Sequence, residues 1–294
     1  MAARELRSKK YARRSQFAEV MHRMKRNRGA MIGLTGVCLF LLMAIFSGVL
    51  VDYETQVIAT NALERLQGPS LQHLCGTDEM GRDIFCRIVY GSRYSIAVGF
   101  VAVIISMAVG VTLGAIAGYF GGLLDDVIMR CTDIFSSVPN VLMAVAIVSA
   151  LGTSTFNLML AIGLSAFPNF ARITRASVLT VRDQEFVEAA RASGLTQSAI
   201  IVKHILPNSL SPIIVQASMQ IATAVVSASI LSFLGLGVPA PAPEWGSLMS
   251  AGRRFLRDYG YITLFPGLAV MLLVMSFNLM GDGLRDALDP KLKN

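Results

Sequence analysis

The sequence predicts an all-α integral membrane protein with six transmembrane helices. Of its 294 residues, 54% are hydrophobic and only 15% carry a charge, whereas about 25% of the residues of a soluble protein are charged. The apolar residues fall in six runs of at least 15 residues, and a helix that crosses a hydrocarbon layer needs roughly 20. Lipid is therefore the expected solvent for most of this chain.

The six predicted spans are distributed along the whole chain. They are Ala30–Val51, Ser95–Gly118, Ile134–Leu151, Phe156–Phe170, Ile213–Leu234 and Ile262–Met280. The fourth contains Pro168, which lacks the N–H of an internal helical hydrogen bond, so the sequence defines its end least sharply. None of the spans contains Asp, Glu, Lys, Arg or His. Because such residues usually form proton relays and ion sites in membranes, their absence disfavours a proton-coupled carrier or an ion pump.

The basic residues favour an orientation with both termini in the cytoplasm. The inside segments would hold 19 of the 26 Lys and Arg residues, as the positive-inside rule predicts. These segments are 1–29, 119–133, 171–212 and 281–294. The asymmetry explains the net charge of +7 as a property of topology. Membrane lipid is therefore an expected partner, and nucleic acid is not.

The spans divide the chain into four parts. Residues 1–29 form a basic cytoplasmic tail, because the apolar run after them is too long for the core of a signal peptide. Residues 30–94 hold the first span and an extracytoplasmic loop with a surface helix. Residues 95–281 hold a five-helix core, and residues 282–294 form a second cytoplasmic tail.

Two features of the extracytoplasmic loop can be predicted. Thr77 or Asp78 is expected to cap the surface helix, which would run through Ile88. Cys75 and Cys86 lie in the same loop and could pair, although a sequence does not fix disulfide connectivity.

Three glycines mark one face of the second span. Gly110, Gly114 and Gly118 recur at a spacing of four residues, which places them together on a helix and lets another backbone approach closely. That second backbone could belong to the same subunit or to a dimer partner.

The long inside loop 184–207 predicts a helix, a glycine turn and a second helix. Gly194 can adopt the left-handed conformation that ends a helix, and Thr196 can cap the next one. Pro207 is expected to end the second helix near Leu206, since it has no N–H to donate.

The tip of this loop carries small side chains. Ala189 and Ala190 would allow the projecting helix to fit closely into a cleft on another protein, with Glu188 and Arg191 spaced to interact along the helix. The alternative is an ordinary amphipathic loop that packs on the ends of its own spans.

The segment from Glu188 to Pro207 resembles the EAA loop of type I ABC importer permeases. It shares Glu188-Ala189-Ala190, then Gly194, and then Leu206-Pro207 at the spacing of that motif. One position differs, because His204 occupies the place of an isoleucine and Ile205 follows it.

Further motifs extend the resemblance from about residue 25 to residue 293. They are Gly76-Thr77-Asp78 with Gly81-Arg82-Asp83, Ala117-Gly118-Tyr119-Phe120-Gly121-Gly122, Pro243-Glu244-Trp245-Gly246, and the C-terminal stretch 278–290. Together they are similar to the C-type permease of the dipeptide/oligopeptide subfamily. The resemblance implies the type I ABC importer transmembrane fold.

The resemblance also implies a function and a set of partners. The chain would form half of a pathway for short peptides in the cytoplasmic membrane of a prokaryote. Its partners would be a homologous permease in a heterodimer, two ABC ATPase subunits that bind ATP and Mg, and an extracytoplasmic substrate-binding protein. This chain would itself hold no cofactor. Nickel complexes, glutathione or another small solute are alternative cargoes.

In this family the EAA loop couples the permease to the ATPases. By resemblance, Glu188 would orient the coupling helix, Ala189 and Ala190 would make the close contact, and Gly194 would fix the turn. Leu206-Pro207 completes the motif.

Other motif residues are candidate contacts for a binding protein or a gate. They are Asp78, Arg82, Asp83, Glu244 and Trp245. Each could instead serve the fold: the first three as the cap and polar face of the surface helix, and the tryptophan as an anchor at the membrane interface.

Four charged residues precede the third span. Asp125, Asp126, Arg130 and Asp133 could form an interfacial helix or a second contact with the ATPase.

No catalytic or metal site is expected. The sequence has no G-x-x-x-x-G-K-[ST] phosphate loop and no G-x-S-x-G nucleophile elbow, and His22, His73 and His204 are scattered, so neither ATP binding by that route nor a histidine metal pair is indicated. A secondary carrier or channel without an ATPase is the alternative of another class, and a membrane-bound enzyme is a further one.

Overall fold

The computed structural model describes residues 16–288, and its regular elements in that range are helical. The helices are α1 (Gln16–Met24), α2 (Arg28–Leu50), α3 (Ile84–Phe120), α4 (Gly122–Ser136), α5 (Asn140–Leu151), α6 (Thr155–Val181), α7 (Glu185–Ala192), α8 (Gln197–Ile200), α9 (Leu210–Phe233), α10 (Trp245–Gly252) and α11 (Tyr261–Leu288). The predicted all-α fold is confirmed. Most of the predicted basic tail and the end of the C-terminal tail lie outside the described residues.

Five helices are long and apolar enough to cross a membrane: α2, α3, α6, α9 and α11. The predicted third span, Ile134–Leu151, is not one continuous helix, so this prediction is wrong. The chain breaks between Ser136 and Asn140, and α4 and α5 meet at an angle of 87°. With only 12 residues, α5 is about 18 Å long and does not cross a hydrocarbon layer of about 30 Å alone.

The directions of α3 and α6 show that α4 and α5 together make one crossing. Gly110 of α3 lies against Phe167 of α6, and Gly118 lies against Val178, so the two helices run parallel. The chain must therefore return to the opposite end between them. With this bent pair the helices cross six times, as predicted.

Two predicted boundaries need correction. The second span begins at Ile84, where the side chain of Asp83 caps it by accepting a hydrogen bond from the backbone N–H of Cys86 at 2.9 Å. The predicted surface helix is thus the start of α3, and Thr77 and Asp78 do not cap it. Likewise α6 does not stop near Pro168 but continues to Val181, because a proline within a membrane helix is tolerated where neighbouring helices enclose it.

The glycine face of α3 packs within the subunit. A Cβ added at Gly110 would lie 2.5 Å from the carbonyl oxygen of Phe167, and one added at Gly118 would lie 2.9 Å from that of Arg175. Gly114 is equally close to Ala171. The two backbones therefore touch along about two turns of α6. Of the two partners considered for the glycine face, the same subunit is the one observed.

The outer surface of the bundle is apolar. On α2 the exposed side chains include Ile32, Leu39, Ile45 and Val49, which are 61–86% exposed. In contrast, α9 packs on α3, α6 and α11, and on the packed side its Ile213 and Leu231 are fully buried. Exposed aliphatic side chains on an outer helix, with buried ones between the helices, are the arrangement expected for a protein dissolved in lipid.

We expect the contact between α3 and α6 to tolerate no side chain at its centre. In Gly114→Leu the leucine would meet the backbone of α6, and overpacking of this kind costs about 1–3 kcal/mol or more. The measurement is the thermal midpoint of the detergent-solubilised complex. The control is Ala108→Leu, which adds the same side chain at an exposed position of α3. Equal midpoints for the two variants would contradict the close contact.

Candidate functional site

The segment 184–207 forms a compact helical hairpin on one end of the bundle, which we call the loop end. Its first helix, α7, has an inner and an outer face. Val187 and Ala190 are 0% and 7% exposed and pack into a small core with Ile200 and Ile205. Glu188 and Ala189 lie on the exposed face. The predicted contact of Ala190 with a partner therefore needs correction, because its methyl group is used within this chain.

The turn after α7 has the predicted geometry. Gly194 has φ of +77°, in the left-handed region that favours glycine. Its N–H donates to the carbonyl of Arg191 at 3.1 Å, and the Thr196 hydroxyl caps α8 by accepting from Ala199 N–H at 3.4 Å. A Cβ at Gly194 would meet no atom within 4 Å, so backbone conformation alone selects glycine here.

The second arm of the hairpin continues further than predicted. After α8 comes a π-helical turn, Ile201–Ile205, and then a last turn, Leu206–Asn208. Pro207 does not end the arm near Leu206, because it lies in the first turn of the segment Leu206–Asn208, where the missing N–H is tolerated. The break falls instead at Ser209, just before α9.

The π-helical turn also explains why His204 can stand where the EAA motif has an isoleucine. His204 occupies the isoleucine position of the motif and is only half-buried, whereas Ile205 is fully buried in the core beneath α7. A π-helical turn shifts the residues after it around the helix axis. The aliphatic side chain that this core needs is therefore supplied by the next residue.

Two polar contacts at the end of α3 involve the hairpin and Arg182, the residue that follows α6 just before the hairpin. The Tyr119 hydroxyl forms a short hydrogen bond with the side chain of Gln197. The guanidinium of Arg182 donates to the carbonyl oxygen of Gly118 at 3.0 Å. Because both groups on α3 belong to the Ala117–Gly122 motif, the hairpin and the glycine face meet at one point. Sequence reasoning identified the motif but not this contact.

Ion pairs also clamp α4 to α6. Arg175 makes a two-point pair with Asp125, with N–O distances of 2.5 and 2.6 Å. Arg172 donates to Asp133 at 3.2 Å. The two aspartates therefore serve the fold, whereas Asp126 is exposed and free to meet another molecule. No local sequence pattern indicates these arginine partners, which lie 39 and 50 residues further along the chain.

At the opposite end, which we call the far end, Asp78 is the centre of a buried charge cluster. It is 4% exposed and accepts hydrogen bonds from the backbone N–H of Arg82 at 3.0 Å and from its Nε at 2.7 Å. The buried Arg87 also donates to it. This cluster ties the loop before α3 to the helix itself, so Asp78 offers almost no surface to a partner protein.

The other charged residues of this loop are similarly engaged. Besides capping α3, Asp83 pairs with Nδ1 of His73 at 2.8 Å. Cys75 and Cys86 are both free, so the disulfide that the sequence left open is not formed. Burial raises the pKa of the Cys75 thiol to about 11, with the charge of Asp83 adding to the effect. The thiol is therefore protonated and unreactive at neutral pH.

Glu244 and Trp245 are fully buried. The carboxylate caps α10 by accepting from the N–H groups of Gly246 and Ser247, both at 2.9 Å. The indole N–H donates to the carbonyl oxygen of Ile88 at 2.9 Å. Both residues hold α10 against α3, so the tryptophan does not anchor the protein at the lipid interface as predicted, and neither side chain is exposed for contact.

No group of three or more His, Cys, Asp or Glu side chains suited to a metal ion occurs within residues 16–288. Of the charged and motif residues described above, those on the exposed face of α7, with Asp126, remain available to other molecules.

Comparisons with known proteins agree with this arrangement. Residues 110–294 match the family described as binding-protein-dependent transport system inner membrane component. Residues 15–69 match the N-terminal transmembrane domain of oligopeptide transport permease C.

Similar proteins extend over nearly the whole chain. The dipeptide transport system permease protein DppC of Alkalihalophilus pseudofirmus is 48% identical over 97% of this chain and 93% of its own length. The glutathione transport system permease protein GsiD of Escherichia coli O157:H7 is 41% identical over 95% and 92%.

Among solved structures, the fold resembles an inward-facing MetNI methionine ABC transporter. The TM-score is 0.55 at 20% identity, over 69% of this chain and 96% of that one. The family match covers more than half of the chain, and the bent-pair bundle with its helical hairpin is a multi-pass membrane fold. This chain therefore belongs to the family of inner membrane components of binding-protein-dependent transport systems.

Proposed function

We propose that this chain forms half of the transmembrane pathway of an ABC importer for short peptides. The observation that carries the proposal is the hairpin 184–207, which presents an exposed helix face at one end of the bundle while its other face is packed on the spans. The names of the relatives support a peptide cargo, since one that is 48% identical is a dipeptide permease. The similarity to a glutathione permease keeps a modified peptide among the candidate cargoes.

ATP and Mg would bind to separate ATPase subunits, because this sequence has no phosphate loop. Closure of the ATPase dimer would move the cleft that holds α7. The motion would then pass through buried Val187 and Ala190 to the core of the hairpin. From there Tyr119 and Arg182 would carry it to α3.

The glycine contact makes α3 and α6 move together. Since their backbones touch, a push on the end of α3 displaces both helices as a unit. Packed elements of this kind switch between discrete arrangements. In the proposed cycle, ATP turns the pathway outward, the binding protein releases its solute into it, and hydrolysis returns it to the inward state.

The remaining partners follow from the same scheme. A homologous but different permease would supply the other half of the pathway, and the binding protein would dock at the far end. Both termini and the hairpin would then be cytoplasmic, as the distribution of Lys and Arg predicts. A carrier without an ATPase is disfavoured by the uncharged spans, and co-purification with ATPase subunits would exclude it.

We expect Ala189→Trp to abolish ATP hydrolysis stimulated by the loaded binding protein. The bulky ring on the exposed face of α7 would keep the ATPase from seating. Ala189→Ser is the matched control, and its small side chain should leave activity within about twofold of wild type, since most exposed substitutions cost under about 0.5 kcal/mol. Full stimulated activity in Ala189→Trp would contradict the docking face.

A second variant separates docking from folding. In Ala190→Trp the ring would enter the buried core under α7, so the hairpin itself should be disrupted. We expect increased proteolysis of the hairpin in Ala190→Trp, and wild-type resistance in Ala189→Trp. Limited proteolysis of the solubilised complex measures both.

The turn at Gly194 gives an independent prediction. Gly194→Pro locks φ near −65° and removes the N–H that bonds to Arg191, so the angle between the two arms should be lost. We expect the rate of stimulated ATP hydrolysis to fall by about tenfold or more, which corresponds to a loss of about 1.4 kcal/mol or more of coupling free energy. Membrane insertion should be unchanged. Gly194→Asn is the control, because asparagine tolerates the left-handed region. Equal loss in both variants would count against the role of the turn.

A further inference from the structure

The helix α9 is enclosed on most sides but leaves one face uncovered. Thr223, Val226, Ile230 and Phe233 are exposed along this face, and their spacing of three or four residues keeps them aligned. Gln216 and Ser227 lie half-buried on the same line. We call this line the α9 stripe.

The α9 stripe is more polar than the lipid-facing surface. It carries an amide and two hydroxyls within the span, whereas the exposed face of α2 is lined by Ile32, Leu39 and Ile45. The hydroxyls of Thr223 and Ser227 donate to backbone carbonyls of α9 at 3.4 and 2.9 Å, and the Gln216 amide donates to Gln220 at 3.4 Å. Their remaining hydrogen-bonding capacity would be left unsatisfied by lipid. The stripe therefore suits water, a solute or protein better than acyl chains.

A cavity of about 540 Å³ opens at the far end of the stripe. Its walls include Gly235, Gly237, Arg253 and Arg254, and no acidic residue of the described chain lines it. The guanidinium of Arg253 lies 5.3 Å from the ring centroid of Phe233, so the cavity is continuous with the stripe. Glu244 lies nearby, but its carboxylate is buried and bonded to backbone N–H groups.

A second cavity, of about 600 Å³, lies at the loop end between α6, α9 and α11. It is lined by polar groups that include Ser177, Thr180 and Gln216, and its one charged lining residue within the described part of the chain is Arg285. Asp282 and Asp286 are exposed on the same helix but do not line it.

From these observations we propose that the α9 stripe, with the cationic cavity at its far end, is this chain's half of the solute path, and that it is matched to solutes with a free carboxylate. Clefts lined by one sign of charge concentrate ions of the other sign, and a guanidinium fits a carboxylate with two parallel hydrogen bonds. The inference rests on the proposed function and narrows its cargo: peptides and glutathione fit, whereas cationic nickel complexes do not.

Cysteine labelling in the assembled transporter tests both parts of the proposal. The four native cysteines are replaced by alanine, and the complete complex is reconstituted in proteoliposomes. Thr223→Cys places a thiol at the centre of the stripe, and Ile45→Cys places one on the lipid-facing surface of α2. We expect water-soluble methanethiosulfonates to modify the first and not the second.

The charge of the reagent tests the cationic cavity. An anionic methanethiosulfonate should react with Thr223→Cys about tenfold faster than a cationic one of similar size, each rate being taken relative to a free thiol. Adding Arg253→Gln and Arg254→Gln should reduce this ratio to about threefold or less. Arg257→Gln, which neutralises an exposed arginine of the same loop outside the cavity, should leave the ratio unchanged.

Three results would overturn the proposal. Thr223→Cys could be as unreactive as Ile45→Cys, which would show the stripe sealed by lipid or by the partner permease. The two reagents could react equally, or the ratio could survive removal of both arginines, which would assign those arginines to another role such as docking of the binding protein. Labelling needs neither ATP hydrolysis nor a peptide. A negative labelling result would therefore contradict the solute path proposed here, whereas a negative result in the stimulated ATPase assays would contradict the proposed function.

Discussion

The backbone contact between α3 and α6 is the constraint on which the rest of the structure depends. Three glycines let the two helices touch where any side chain would separate them. Because the pair is parallel, the chain between its members must cross back, and the bent pair α4 and α5 makes that crossing. The pair also ends where the hairpin begins, so a displacement of the hairpin acts on two spans together.

Much of this fold could be predicted because lipid imposes simple rules. Apolar runs of the right length marked the spans, and glycine spacing marked a close contact. The bend before Asn140 and the continuation of α6 through Pro168 were missed, since both depend on neighbouring helices that a local pattern does not contain. The same holds for Ile205, which is buried in place of His204 only because a π-helical turn intervenes.

The motif residues illustrate a second limit of sequence reasoning. A family motif identifies a segment but does not distinguish contact with a partner from internal packing. Asp78, Glu244 and Trp245 are buried, and of the two alanines at the tip of the hairpin one is buried and the other exposed. Arg253 and Arg254 beside the α9 stripe belonged to no motif, and only their position in the wall of a cavity makes them informative.

Photo-crosslinking in the assembled transporter tests the central claim most directly. Benzoylphenylalanine at Phe186, an aromatic residue of α7 that is 38% exposed, should crosslink to an ATPase subunit, as identified by mass spectrometry. The same group at Leu63, which is 91% exposed in the loop at the far end, should not crosslink to the ATPase. A crosslink to the ATPase from Leu63, or none from Phe186, would contradict the account.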